Sequence, residues 1–541
     1  MMASFVPNGA TQHKVETAEA VRHADDGDAY EMQPGAVKKK WQGTEADRRE
    51  MSQLGRLQEL RRNFQFTSMV GFACTLIATW EVLLTTISTI VTNGGTAGVI
   101  WAFLIVFVGF SFVYLSIAEM TSMAPTSGGQ YHWVSEFSPP SCQRFLSYIV
   151  GWLCFTGWQA AITSITFLCG TIIQGLIALN SQKYALEGQQ PWHGTLLVIA
   201  VTAFAIFFNT ALAKKLPLVE GLLLVLHVVG FFAIIIVLWV LAPTAPASAV
   251  FTEFANGGMW NSEGTAFMVG LLSPVLSLIG FDCAVHMSEE VKDASTTLPR
   301  AMLSAFGFNA VLGFVMAITL SFCLGDVETL LETPTGYPFI QLFYNVTGSL
   351  GGASVMVVIV ILALVSAAIA EVATASRQLW SFARDGGVPC SSWVGRIQPN
   401  WNIPLNAVLI SLTVTTLLSL INIGSTAALN AILALTSVSL LTSYIIVIGV
   451  VLLKRLRKQP LPHARWSLGK WGMLVNILAL CYLFAIYVFA FFPAVSNPTA
   501  VDMNYAIVIF GGIITFAVVY YFIYGHKQYI PPVALVKREY I

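Results

Sequence analysis

The sequence predicts an all-α membrane protein with twelve membrane-spanning helices. Two observations carry that prediction. Of 541 residues, 56% are hydrophobic and only 10% are charged, with a mean hydropathy of +0.72. Soluble domains carry roughly 25% charged residues, so a set of globular domains is excluded. The apolar residues also gather into long runs, with Lys and Arg confined to alternate gaps between them.

A helix needs about 20 mostly apolar residues to cross the hydrocarbon core. Twelve runs qualify: 66–91, 97–118, 145–178, 194–213, 218–242, 265–288, 301–324, 352–383, 404–421, 428–453, 471–493 and 504–524. The third and eighth exceed the need and imply tilt or continuation beyond the bilayer. Gly386 and Gly387 suit the end of the eighth, and Pro389 stops its continuation.

The gaps set the orientation, because cytosolic loops carry the excess of Lys and Arg. One side receives the N-terminal segment, Arg144, Lys214, Lys215, Lys292, Arg300, Arg377, Arg384 and Arg396. It also receives the cluster from Lys454 to Lys470, then Lys527, Lys537 and Arg538, whereas the other side receives Lys183 alone. Both termini are therefore expected in the cytosol. Residues 1–62 hold ten of the 28 Lys and Arg residues and no long apolar run, which reads as a disordered cytosolic tail. A twelve-helix domain is expected over 63–525, with a second cytosolic tail over 526–541.

Other classes leave no trace in the residues. No positively charged stretch leads into an apolar one near Met1, so no signal peptide is expected. The eight cysteines are scattered without CxxC spacing, which points to packing rather than disulfides or zinc. No metal-ligand cluster, nucleophile–base pair or phosphate loop appears, so no cofactor, enzyme, nucleotide-driven pump or nucleic-acid partner is expected. The sequon at Asn345 falls in an outward loop close to the membrane.

Two runs look broken. In the first, "MVGFACTLIATWEVLL" leads through Gly71, Thr75 and Thr79 to Trp80 and Glu81. In the sixth, "MVGLLSPVLSLIGFDCAV" leads through Gly270, Pro274 and Gly280 to Phe281 and Asp282. Pro274 removes a helix donor and favours a break nearby. The two share Met-Val-Gly, at 69–71 and 268–270, each followed by a buried acid. They run in opposite directions across the membrane. Interrupted segments at corresponding positions of two halves point to a solute site between inverted repeats.

Three longer motifs bring in a resemblance. "EMTSMAPTSGGQYHW" (119–133), "GFDCAVHMSEEVKDASTTLPRAM" (280–302) and "SRQLWSFARDGGVP" (376–389) resemble the amino acid–polyamine–organocation superfamily. Together with "GWLCFTGWQAA" (151–161), the pattern is most similar to the fungal amino acid/choline permeases, which include GABA permeases, over about residues 60 to 525. The resemblance implies a LeuT-like core of two inverted five-helix repeats with discontinuous helices 1 and 6, plus two extra helices. It implies proton-driven import of an amino acid or small amine. It also puts the breaks near Leu76 to Thr79 and Ile279 to Asp282. Leu76-Ile77-Ala78-Thr79 lacks the superfamily's Gly-rich stretch, which points away from recognition of an ordinary α-amino acid carboxylate.

The substrate-site residues follow from the breaks. Asp282 is expected to bind a substrate ammonium or to couple protons, since a mid-membrane carboxylate costs a few kcal/mol without such a role. Glu81 is its weaker counterpart, with Thr79 and Gly280 in the breaks themselves. Trp80 and Phe281 flank the acids, and Trp158 and Tyr444 could close an aromatic cage around an ammonium group. Gln159 is placed to hydrogen-bond a solute. His227 is a second proton-coupling position. Glu371 is expected to be structural, bonded to a Ser or Thr, and Glu220 to pair with Lys215. On the cytosolic side, Arg377 and Arg384 are expected to meet Glu289 and Glu290.

The leading expectation is a secondary active, proton-coupled importer of amino acids or small amines such as choline or GABA. Its partners would be the solute, protons and the lipid bilayer, and its location the plasma membrane. The alternative is a non-transporting nutrient sensor of the same fold.

Overall fold

The computed structural model describes residues 41–537 apart from 400, 425–427 and 501. Residues 1–40, most of the expected disordered tail, lie outside the described residues. Among the described residues the regular structure is helical, and only two isolated bridges, Phe64 with Val291 and Gln398 with Ile403, join extended backbone.

Among the described residues, eleven helical stretches are long and apolar enough to cross a membrane. They cover all twelve predicted runs because the first, Phe66–Met123, is 58 residues long and holds two of them. At 1.5 Å per residue such a helix would be ~87 Å long, nearly three times the ~30 Å hydrocarbon core. Gly95 breaks it, with φ +66 and ψ −167. A Cβ at Gly95 would sit 2.8 Å from the Glu253 carbonyl oxygen, so the chain turns there under a neighbouring loop that leaves no room for a side chain.

Span five (Leu216–Leu241) shows how one sequence face selects lipid and another selects protein. Leu222, Val225, Val229, Phe232, Ile236 and Trp239 recur at helical spacing and are exposed. His227, Gly230, Phe231, Ile234 and Leu238 lie on the opposite face and are buried. In lipid, close packing takes over from the hydrophobic effect as the force between helices. Gly71 accordingly lets span one approach span five, where an added Cβ would lie 3.3 Å from the Glu220 carbonyl oxygen. Span seven (Ala294–Cys323) packs along spans one and two, and spans eight (Leu350–Arg384) and ten (Ala428–Leu456) each pack against span three (Gln143–Asn180).

The expected disorder of 1–62 does not extend to residues 41–62. A helix, Glu45–Gln53, begins at a Thr44–Asp47 capping box. Asp47 is buried, pairs with Arg62 at 3.1 Å, and accepts from the Asp293 and Ala294 amides at 2.9 and 3.0 Å, capping span seven. Polar composition alone suggests disorder here, but these groups are satisfied by residues far along the chain. The C-terminal segment is also held. Tyr529 is buried, Ile530 N–H donates to the Asp385 carbonyl at 2.9 Å, and Lys537 N–H donates to the Gln53 carbonyl at 2.8 Å.

Candidate functional site

Both breaks are present where the family resemblance put them. Span one runs as Phe66–Ile77, passes through Ala78 at φ 46 and ψ 50, and resumes at Thr79. A left-handed residue other than glycine costs roughly 1–2 kcal/mol, which the surrounding packing must offset. Span six runs through Leu272–Leu278, extends at Ile279, turns through Gly280 at φ +102, and re-forms one short turn at Cys283–His286. Pro274 is not at this break. It sits in the first turn of Leu272–Leu278, where its missing N–H costs nothing, and marks the junction at Leu271 instead.

Tyr114, which the sequence reading missed, supports the second break. Its hydroxyl donates to the Leu278 carbonyl at 2.8 Å and accepts from the Gly280 and Phe281 amides at 3.0 and 3.4 Å. It thus supplies partners that the interrupted helix cannot. Phe281 packs edge-on to Tyr114 and Phe306, at ring separations of 5.4 and 5.3 Å.

The two acids have partners within the protein. Asp282 accepts from Gln130 Nε2 at 2.5 Å and from the Tyr444 hydroxyl, and lies 3.6 Å from His286 Nε2. His286 Nδ1 faces the Ser127 carbonyl at 2.9 Å, so that nitrogen carries its proton, and Nε2 gains one when the ring becomes charged. Glu81 Oε1 lies 2.7 Å from His227 Nδ1, while Glu81 Oε2 and His227 Nε2 are buried without a partner. The sequence shows no deep Lys or Arg, but two histidines take the place of such a partner. The i,i+4 spacing of Asp282 and His286 was the available signal for one of them. Gln130 gives the "GGQYHW" motif a role inside the protein, because Gln130–Phe137 is a buried helix rather than a solvated loop.

A cavity of about 60 Å³ lies beside the two breaks. Leu76, Ile77 and Val82 of span one line it, with Trp158 of span three, Ile279 and Gly280 of span six, Glu371 of span eight and Thr436 of span ten. Of the predicted site residues only Trp158 and Gly280 line this space. Trp80 packs against His227 and Phe231, both at 5.9 Å, and Gln159 donates to the Ser411 hydroxyl at 3.0 Å. The Thr79 hydroxyl is buried without a hydrogen-bond partner. Asp282, Tyr444, Phe281, Glu81 and Trp80 form the layer around the cavity rather than its wall. Glu371 departs from its expected structural role: it lines the cavity, and its Oε2 has no Ser or Thr partner.

The sequence matches the amino acid permease family over residues 64–513. The chain belongs to the amino acid permease family. A Saccharomyces cerevisiae protein named as a choline transporter is 29% identical over 472 residues, covering 87% of this chain and 83% of its own. Amino-acid permease 2 of Neurospora crassa is 27% identical over 544 residues, covering 98% of this permease and 97% of its own chain. A Macrophomina phaseolina protein with the provisional name of an amino acid/polyamine transporter is 30% identical over 441 residues, covering 81% and 96%. The permease is thus an integral membrane protein of a transporter family, not an enzyme.

On the face rich in Lys and Arg, ion pairs join the ends of spans six and eight. Arg377 Nε meets Glu290 Oε1 at 2.7 Å, and Arg384 binds both oxygens of Glu289 at 2.8 and 3.0 Å, as the sequence suggested. Arg56 pairs with Asp385 at 2.5 Å, and Tyr131 donates to the same carboxylate at 2.9 Å. Burial pushes the Glu289 carboxyl up, but the Arg384 guanidinium with its hydrogen bonds, together with Arg56 and Arg62, outweighs burial and holds it below the usual carboxylate range. Glu220 does not pair with Lys215. It is buried and accepts from the Thr75 hydroxyl at 2.8 Å, because the helix turns it toward span one.

Proposed function

We propose that this permease is a secondary active transporter that couples proton entry to import of a small amine or amino acid. The observation that carries this reading is the pair of broken helices, at Ala78 and at Ile279–Asp282, bordering one cavity. Helices interrupted in opposite-running spans let backbone ends meet a solute at the membrane midplane. We read the chain as crossing twelve times, counting both limbs of Phe66–Met123, with a LeuT-like pair of inverted five-helix repeats. The basic face is then cytosolic and carries both termini, and the plasma membrane is its site of action. Two relatives are named for choline and for amino acids and polyamines, which supports choline, GABA or a polyamine as the solute class.

The proton route in this reading uses two acid–histidine pairs, Glu81 with His227 and Asp282 with His286. Each can gain or lose a proton while keeping a hydrogen-bond partner, so solute binding and protonation can bias the same backbone breaks. Thr79, Trp80, Gln159, Phe281 and Tyr444 form the supporting shell, and Trp158 and Gly280 the contact surface. The test is uptake by full-length protein in liposomes with an imposed pH gradient. Labelled choline, GABA and putrescine should accumulate selectively when the outside is acidic, and a protonophore should abolish accumulation. Accumulation that survives the protonophore and requires sodium rejects proton coupling, and binding without any uptake favours a sensor.

A further inference from the structure

We propose that Glu371 is the counter-charge for an organic monocation held in the central cavity. This rests on the transporter reading and narrows its substrate to a small amine carrying a full positive charge. Asp282, the acid most conspicuous in the sequence, is already engaged by Gln130 and Tyr444, and Glu81 by His227. Glu371 differs. It is 8% exposed, it lines the cavity, and its Oε2 has no hydrogen-bond partner. No other lining residue is ionisable. A buried carboxylate without a partner is costly, and a cation in the adjoining space would remove that cost.

The rest of the wall suits the same ligand. Leu76 and Ile77 end one half-helix and Leu278 ends another, and both ends abut the cavity through Leu76, Ile77, Leu276 and Ile279. Helix C-termini carry partial negative charge, and the ends at Ile77 and Leu278 both abut this space. Trp158 contributes an indole, and aromatic faces attract ammonium groups. The volume of about 60 Å³ has room for roughly four water molecules, the bulk of an ammonium head. No lining Lys or Arg is present to meet a carboxylate.

The test compares choline with its uncharged isostere, 3,3-dimethylbutan-1-ol, on the full-length protein, reading binding as ligand-induced thermal stabilisation. Wild type should bind choline at least about tenfold more tightly than the isostere. Glu371→Gln should bring the two within about twofold, by weakening choline while leaving the isostere unchanged. If the Gln variant does not fold, Glu371→Asp serves: moving the carboxylate back by one methylene should weaken choline several-fold and spare the isostere. A choline preference that survives Glu371→Gln, or is absent from wild type, overturns the proposal. So does unaltered choline affinity in Glu371→Asp. Uptake in liposomes separates the two readings. Binding that depends on Glu371 without accumulation rejects transport and keeps the site, and accumulation indifferent to Glu371 does the reverse.

Discussion

His227 Nδ1 and Glu81 Oε1 lie 2.7 Å apart, just past the break in span one. About two turns earlier on the same helix, Glu220 accepts from Thr75, just before that break. Span five therefore holds both halves of the interrupted span, one by a hydroxyl and the other by an acid–imidazole pair. A change in protonation of the Glu81–His227 pair acts directly on the half-helix that begins at Thr79.

Glu81→Gln should keep a hydrogen bond to His227 and remove the ionisable carboxylate. Uptake should lose most of its dependence on external pH, while exchange of labelled for unlabelled solute continues. Retention of the wild-type pH profile would assign the pair a structural role only.

Asp282→Asn should damage both stability and transport. The new amide directs an N–H at either Gln130 Nε2 or the Tyr444 hydroxyl, so the Gln130 amide must flip or the Tyr444 proton must turn away, and a charge-assisted hydrogen bond becomes a neutral one. A loss of about 1–3 kcal/mol is expected, read as a lower melting temperature of the purified protein. Normal uptake with a normal pH profile would show that the charge at Asp282 is dispensable.

Tyr114→Phe removes the hydroxyl that three backbone groups share across the second break. The Gly280 and Phe281 amides lose their partner at a cost of about 1–3 kcal/mol. Uptake should fall with little change in the pH profile, because no titrating group is touched.

Arg384→Ala takes away the only hydrogen-bonded cation of the buried Glu289 carboxylate and leaves it to the more distant Arg56 and Arg62, and removing one partner of a buried pair costs about 3–5 kcal/mol. The basic face should open more often, so thiol labelling of Cys283 should rise in a background lacking the exposed Cys390 and Cys481 and the half-exposed Cys142. The folded Glu289 carboxyl titrates below its usual value. Its contribution is therefore complete above the ordinary carboxylate range, about pH 4, and is lost as pH falls through the lowered value. With the pair intact, Cys283 labelling, divided by the rate of a free thiol at the same pH, should not change between about pH 8 and 6.

Tags at the N-terminus, at the C-terminus and in the loop 454–470 should be reachable only from the cytosol, as the distribution of Lys and Arg requires. Labelling of any one from outside intact cells would reverse the orientation.

What the sequence determined by itself was whatever local composition and spacing encode. Apolar run length gave the spans, because a bilayer of fixed thickness leaves few alternatives to a helix of matching length. Gly280 and the buried acid after it marked one break, and the offset Met-Val-Gly repeat pointed to the other. Arg377 and Arg384 could be matched to Glu289 and Glu290 because all four lie at span ends on one face. The tertiary structure decided which polar groups were already satisfied. Asp282 and Glu371 look alike in sequence, each an acid within an apolar stretch. One meets Gln130 and Tyr444 and the other meets open space, a difference set by helices far apart in the chain. Residues 41–62 give the same result, since their polar composition reads as solvated while their partners, Ser288, Asp293 and Asp385, are supplied only by the fold. A hydrogen bond or charge pair is a property of two positions in space, and pattern along one chain carries only the first of them.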